Sequence, residues 1–296
     1  VQGQADQFLR YLKDEKDYSD NTIAAYRNDL YQLVAFLNQT APGTVSSWAE
    51  VDRQLILAYG KYLDEQTYTS STIARKVASV KSFFSFLLDE HLLTDNPTTV
   101  LSAPRIEKRL PRILSTAEVE RLLAEPAKAT TPKALRDRAL LDLFYATGMR
   151  VSEVIALRLD DLDMEQAQVI CMSRDGRARR LPLTPGAFES LTAYLEKGRV
   201  ASLQGRGERT LFLNQRGRPL TRQGLWLIIK SYAEAAGIGR DVTPHTLRHS
   251  FAAHRLVQGS DLHKIRELLG HANISTTQVY MHIVSRPDEE PDIELT

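Results

Sequence analysis

The sequence predicts a mainly α protein of two domains, a helical N-terminal domain followed by an α+β domain with a small antiparallel sheet. Three observations carry this. At 296 residues the chain is about twice a common domain length. Apolar residues in the first hundred positions recur at spacings of three and four, the period of a helix face. Farther on, Asp175-Gly176 stands between two runs of strand character, a strong hairpin signal.

Phe8, Leu9 and Leu12 open the first helical stripe, and Ile23, Tyr26, Leu30, Leu33, Val34 and Leu37 sustain a second. Ser19-Asp20-Asn21 supplies N-cap chemistry just ahead of that second stripe. A third helix is expected from Val51 to Glu65. A fourth opens at Ser70-Ser71 and carries Ile73, Val77, Val80, Phe83, Phe84 and Leu87. The aromatic residues of these stripes read as packing groups. Asp95-Asn96-Pro97 ends the helical block, and Pro104 to Pro111 reads as an extended, basic linker, because proline disfavours helix at the residue before it. The expected organisation is a helical domain over 1–104, a linker over 105–111, an α+β domain over 112–286 and an acidic tail over 287–296. Ser115 and Glu118 have capping-box spacing at the start of the second domain. Helices are expected over 115–124, 133–146 and 151–157. A hairpin of Gln168–Met172 and Arg179–Leu183 comes next, then a short strand pair flanking Gln215-Arg216-Gly217. Helices return from Thr221.

Apolar residues make up 43% and charged residues 25%, with 15 Gly and 12 Pro, a balance that excludes whole-chain disorder and collagen-like repeats. No apolar run approaches the roughly 18 residues that span a bilayer, and Val1-Gln2-Gly3-Gln4 lacks a signal-peptide layout. Cys171 is the single cysteine, so neither an internal disulfide nor a thiolate zinc cluster is expected. A cytoplasmic, metal-free protein with no cofactor and no membrane partner fits this composition. The net charge of +1 hides an asymmetry: residues 105–286 hold 29 Lys and Arg against 19 Asp and Glu. A basic block raises the prior for a polyanionic partner.

Three motifs carry chemistry. In Thr243-Pro244-His245-Thr246-Leu247-Arg248, Thr then Pro reads as a helix start, and His245 and Arg248 lie three apart on one face near the helix N-terminus. A guanidinium there matches phosphate oxygens bidentately, and the helix end adds positive potential. In Leu268-Leu269-Gly270-His271, Gly270 fits a left-handed C-cap and puts His271 at a tight turn. Tyr280 follows after Ser275-Thr276-Thr277, a second helix start. In Ala146-Thr147-Gly148-Met149-Arg150, Gly148 breaks a helix and places Arg150 at a corner between helices, with Ser152 helping to begin the next one. Two arginines, two histidines and a tyrosine form the equipment for attacking a phosphodiester. The arginines neutralise charge that builds in the transition state, and a histidine handles the proton of a phenol whose ordinary pKa is about 10.

The sequence resembles the tyrosine recombinases, in their Xer-like branch, over nearly its whole length. The match lies in Ala146-Thr147-Gly148-Met149-Arg150-Val151-Ser152-Glu153, in His245-Thr246-Leu247-Arg248-His249-Ser250-Phe251-Ala252-Ala253-His254, and in Leu268-Leu269-Gly270-His271 followed by Tyr280. In the N-terminal half it lies in Asn21-Thr22-Ile23-Ala24-Ala25-Tyr26 and Asp95-Asn96-Pro97. The resemblance implies a helical core-binding domain and a catalytic domain that clamp double-stranded DNA. Arg150 and Arg248 would hold the scissile phosphate, His245 would assist proton transfer at Tyr280, and His271 would hydrogen-bond a non-bridging oxygen. Tyr280 would become a 3′-phosphotyrosine, with the bond energy kept for religation. Arg75, Lys76, Arg177, Arg179 and Arg222 are the expected DNA contacts, and His249 and His254 are assigned to packing. The resemblance further implies a homotetramer on two recombination sites, or one shared with a partner recombinase, and a role in chromosome partition and the cell cycle.

Two departures stand out. The family usually carries a lysine in the hairpin turn, yet no lysine occurs between Lys133 and Lys197. Counting back from Pro182-Leu183 puts Arg174 at its position, and arginine, with a pKa above 12, donates protons poorly. After Tyr280, Arg286-Pro287-Asp288-Glu289-Glu290-Pro291 is poor helix material where the family has a docking helix. Alternatives compatible with the residues are a mobile-element integrase of the same chemistry, a type IB topoisomerase, and a non-cleaving DNA-binding protein of the same fold.

Overall fold

The computed structural model describes all residues except 1, 44, 106–110, 173–175, 204, 206, 272 and 285–296. It divides into two units, Val1–Lys108 and Arg109–Thr296. The expected linker and acidic tail fall largely or wholly outside the described residues.

The first unit is built from α1 (Gln2–Asp14), α2 (Asp20–Thr40), α3 (Arg53–Glu65) and α4 (Ser70–Asp89). Ser19, Asp52 and Thr69 cap α2, α3 and α4 by accepting backbone N–H bonds, so each polar residue ahead of an apolar stripe fixes where a helix begins. Phe8, Leu33, Leu37, Ile56, Tyr59, Val80, Phe83 and Phe84 are buried in one core. Trp48 stands edge-on to Phe83 at 4.7 Å, which agrees with the packing role expected for these aromatics. Lys76 is not on the surface. It is 7% exposed, and its ammonium donates to Asp29 at 3.1 Å and Gln32 at 2.6 Å. Asp29 is fully buried and takes Arg75 as a second partner. The expectation that Lys76 contacts DNA is therefore corrected: the buried carboxylate of Asp29, 47 residues away, claims this cation.

The second unit begins with α5 (Thr116–Ala124), α6 (Pro132–Thr147) and α7 (Val151–Ala156). The capping box between Ser115 and Glu118 forms. Gly148 closes α6 at φ 59°, and Arg150 rather than Ser152 is the N-cap of α7. Strands β1 (Leu162–Asp163), β2 (Gln168–Met172) and β3 (Ala178–Pro182) form an antiparallel sheet in that order, with Val169 opposite Leu181 and Cys171 opposite Arg179. Beyond it α8 (Pro185–Ala193) runs through a wider turn over 194–199 into α9 (Val200–Leu203), helical structure that the periodicity did not announce. The expected strand pair around Gly217 is one bridge, Leu213 to Pro219. Two longer helices and two shorter ones follow: α10 (Arg222–Ala235), α11 (Pro244–Val257), α12 (Leu262–Leu269) and α13 (Ser275–Val284). Leu140, Phe144, Tyr194, Phe212 and Ile229 lie in its main core, and a smaller cluster joins Phe251, Ile265, Leu269 and Tyr280. Among the described residues no helix is long and apolar enough to cross a membrane.

Candidate active site

Thr243 caps α11 and Pro244 occupies its first turn, so the segment 245–249 starts on a fixed helix end. Leu247 and Phe251 face the core and hold that end in place. Arg248 is 6% exposed. One arm donates to the carbonyl of Gly148, and the other donates to the carbonyl of Leu269 at 2.7 Å and meets His271 Nε2 at 3.1 Å. Both carbonyls belong to helix ends closed in left-handed turns, which leave them without helical partners. The Gly148 turn also needs glycine for space, because a Cβ there would meet the ring of Phe251. Burial first, then the neighbouring Arg150 guanidinium, brings Arg248 down to about 10, still charged at neutral pH.

Arg150 reaches the same turn. Its Nη2 donates to the carbonyl of Gly270 at 2.6 Å and its Nη1 to Glu153 at 2.9 Å. Glu153 also accepts from the Arg150 backbone N–H at 2.7 Å and pairs with Arg179 at 2.9 Å. Burial works to raise the Glu153 carboxyl, but the Arg150 backbone N–H and the Arg179 and Arg150 guanidiniums outweigh it and hold the group below the usual carboxylate range. Arg179, expected among the DNA contacts, is turned into this cluster rather than lying on the surface. Its side chain is 10% exposed, one nitrogen is shared between Glu153 and the sulfur of Cys171, and the guanidinium lies against Gly270. Arg150 and Arg179 pair with the one carboxylate and Arg248 adds a third guanidinium nearby, so the cluster carries excess positive charge suited to an anion.

An arginine nitrogen can only donate, so His271 Nε2 accepts from Arg248 and its hydrogen sits on Nδ1, which donates to Thr277 Oγ1 at 2.9 Å. Burial first, then Arg248 and Arg150, lowers His271 to about 4, so it is neutral near pH 7. In this tautomer Nε2 has no hydrogen to give to a phosphate oxygen. The donor role expected of His271 therefore requires the Arg248 contact to open and a proton to move.

Tyr280, on α13, is 2% exposed and its hydroxyl shares a 2.7 Å hydrogen bond with Nδ1 of His249. Burial raises its pKa, against the pull of Arg248. His249 thus does more than the packing expected of it; His245, expected to serve this hydroxyl, is exposed one turn earlier with its ring 6.4 Å from that of His249. The spacing of four between the two histidines was the available signal for a shared face. His254 does pack: its Nε2 donates to the Leu114 carbonyl at 2.9 Å, so its Nδ1 accepts from Tyr145 at 2.6 Å. Arg174 lies outside the described residues. Arg177 is exposed at the hairpin and Arg222 on the first turn of α10. The arrangement joins a guanidinium cluster, a buried phenol and two neutral imidazoles. Among the described residues no cluster of His, Cys, Asp and Glu could hold a metal ion.

Comparison with known proteins adds an independent line. The phage integrase family matches residues 112–286, and the phage integrase N-terminal SAM-like domain matches residues 5–91. Tyrosine recombinase XerC of Herpetosiphon aurantiacus is 47% identical over 283 residues, covering 96% of this chain and 91% of that protein. Tyrosine recombinase XerD of Halalkalibacterium halodurans is 41% identical, covering 96% and 94%. In fold, the chain is similar to the XerH site-specific recombinase bound to difH substrate, with a TM-score of 0.71 at 22% identity over 93% of this chain and 80% of that one. XerA recombinase is 26% identical with a TM-score of 0.54, covering 97% and 94%.

Proposed function

The chain belongs to the phage integrase family, and from that premise we propose that it acts on duplex DNA as an Xer-like tyrosine recombinase. It is a site-specific recombinase, and Tyr280 is its nucleophile. The phenol oxygen attacks the scissile phosphorus, the bond to the 5′ oxygen breaks, and the strand is held as a 3′-phosphotyrosine. A 5′-hydroxyl from the partner duplex then attacks that linkage and releases the tyrosine. Arg150 and Arg248 hold the non-bridging oxygens, where charge builds in the transition state.

The single observation that carries this reading is the convergence of both guanidiniums on the turn 269–271, beside the buried phenol. The hairpin arginine Arg177 and Arg222 on α10 serve as backbone contacts, which position the duplex without reading its sequence. Arg75 can contribute in the same way from the first unit, its side chain being 41% exposed beside Asp29. The working unit is a homotetramer on two recombination sites, or a mixed one with a partner recombinase, resolving chromosome dimers in the cytoplasm ahead of cell division.

DNA recovered bound to the protein in cells supplies the substrate for the test. A duplex nicked beside the cleavage point traps the covalent species, because the short released strand diffuses away. Wild type forms an adduct resistant to denaturation. Tyr280→Phe binds the same duplex and forms none, since the ring keeps its packing and only the oxygen is lost. A persistent adduct in Tyr280→Phe moves the nucleophile elsewhere.

A further inference from the structure

His249 lies four residues beyond His245 on α11, so the two rings share one helix face. His245 is exposed, His249 is half-buried and Tyr280 is buried, which ranks the three from solvent inward to the phenol. A phenol is a strong donor, and a neutral imidazole nitrogen is the strongest acceptor that the 2.7 Å contact offers it. We propose that His249 receives the phenol proton of Tyr280 during strand cleavage, with His245 the next group outward toward solvent. This rests on the recombinase reading and assigns a catalytic group within it.

The step balances. As the phenol oxygen bonds to phosphorus, its O–H bond breaks and the proton passes to Nδ1 of His249. The bond from phosphorus to the 5′ oxygen breaks with its electron pair, and that oxygen takes a proton from solvent. Religation reverses the order, and Nδ1 returns its proton to the departing tyrosine.

The groups facing His249 are His245 and Arg248 on its own helix, Tyr280 on α13 and His271 on the turn after α12. Burial first, then His245 and Arg248, lowers His249 to about 4, while burial raises Tyr280. Proton transfer is therefore uphill in the empty site, and the phenol stays protonated. It becomes acidic only as the O–P bond forms, so the proton moves with the attack. A phosphodiester at the arginines adds a negative charge beside Arg248 and offsets part of its repulsion of His249. The nucleophile is thereby quiet without substrate.

Two measurements test this. In the DNA-free protein, ¹⁵N NMR of the histidine rings is expected to show His249 Nδ1 as an unprotonated acceptor whose shift moves in Tyr280→Phe; a protonated Nδ1, or a shift unmoved by the substitution, overturns the proposal. On the nicked duplex, His249→Asn, which offers an acceptor that cannot keep a proton, and His249→Ala are both expected to form adduct about 100-fold more slowly at unchanged DNA affinity. Imidazole in the buffer is expected to restore part of the His249→Ala rate. A rate within about threefold of wild type in His249→Asn overturns the assignment. If wild type itself forms no adduct, the recombinase reading fails, and the proposal fails with it, whatever the NMR shows of the resting hydrogen bond. If His249→Ala does not fold, His249→Asn and the NMR comparison decide.

Discussion

At the scale of the residue, the site separates groups that bind charge from groups that move protons. Arg248 commits one arm to Gly148 and the other to Leu269 and His271, and Arg150 commits to Gly270 and Glu153. Both guanidiniums are therefore set before any phosphate arrives. Arg150→Ala or Arg248→Ala is expected to lower cleavage by on the order of 3–4 kcal/mol of transition-state stabilisation, with DNA affinity falling far less because it is spread over many phosphates. Equal losses in adduct rate and in affinity would demote both to ordinary phosphate contacts. Arg174 admits a sharper test. If it stands in for the family lysine, Arg174→Lys is expected to speed cleavage of ordinary DNA and change little on a duplex with a 5′-bridging sulfur, which leaves without a proton. Rates that move in parallel on the two substrates make Arg174 one more phosphate contact. The sequence displayed Arg150, Arg248, His271 and Tyr280 because each sits in a motif with its own local logic of caps and turns. It did not display Lys76 or Arg179 as buried cations, since their partners Asp29 and Glu153 lie 47 and 26 residues away along the chain. A sequence shows charge but not who neutralises it.

At the scale of the element, two left-handed glycines fix the site more than any helix does. Gly270 ends α12 at φ 62°, offers its carbonyl to Arg150 and leaves room for the Arg179 guanidinium, which a Cβ would strike. Gly270→Ala combines positive-φ strain of roughly 1–2 kcal/mol with that collision. The expected result is a melting temperature several degrees lower and a loss of adduct formation larger than the stability change explains. A variant that melts lower but cleaves normally at low temperature would show that the turn only supports the fold. The starts of the helices with a polar cap ahead of an apolar stripe, α2, α4, α5 and α11, are legible nearly to the residue, as is the hairpin of β2 and β3. The helical run over 185–203 was not, although Thr184-Pro185 is a sound start, because its apolar residues do not keep to one narrow stripe. β1 is only two residues long and exists through its pairing with β2.

At the scale of the whole molecule, acidity tests the buried histidines together. His249, His254 and His271 are all lowered in the fold, chiefly by burial. The unfolded chain, with histidines near 6.5, binds more protons, so this stability is complete above about pH 6.5 and is lost as pH falls, toward about 4 for His249 and His271. Asp142 acts in the opposite direction, because burial pushes it up to about 6 and the fold prefers its neutral form. With three histidines against one carboxyl, calorimetric melting is expected to fall between pH 7 and pH 5. The fall should steepen in Asp142→Asn and shrink in His271→Gln; a melting temperature flat over that range in all three proteins contradicts the burial described. The order of the site along the chain has a consequence for synthesis. Arg150 leaves the ribosome 130 residues before Tyr280, a lag of roughly 7–26 seconds at translation rates of about 5–20 residues per second. Until Arg248 follows, 98 residues after Arg150, the nascent polypeptide holds one of the two guanidiniums, and it lacks the Tyr280 phenol for the whole interval, so a fragment cut short there is without the group proposed to attack the strand. In the finished fold that phenol is 2% exposed and held against His249.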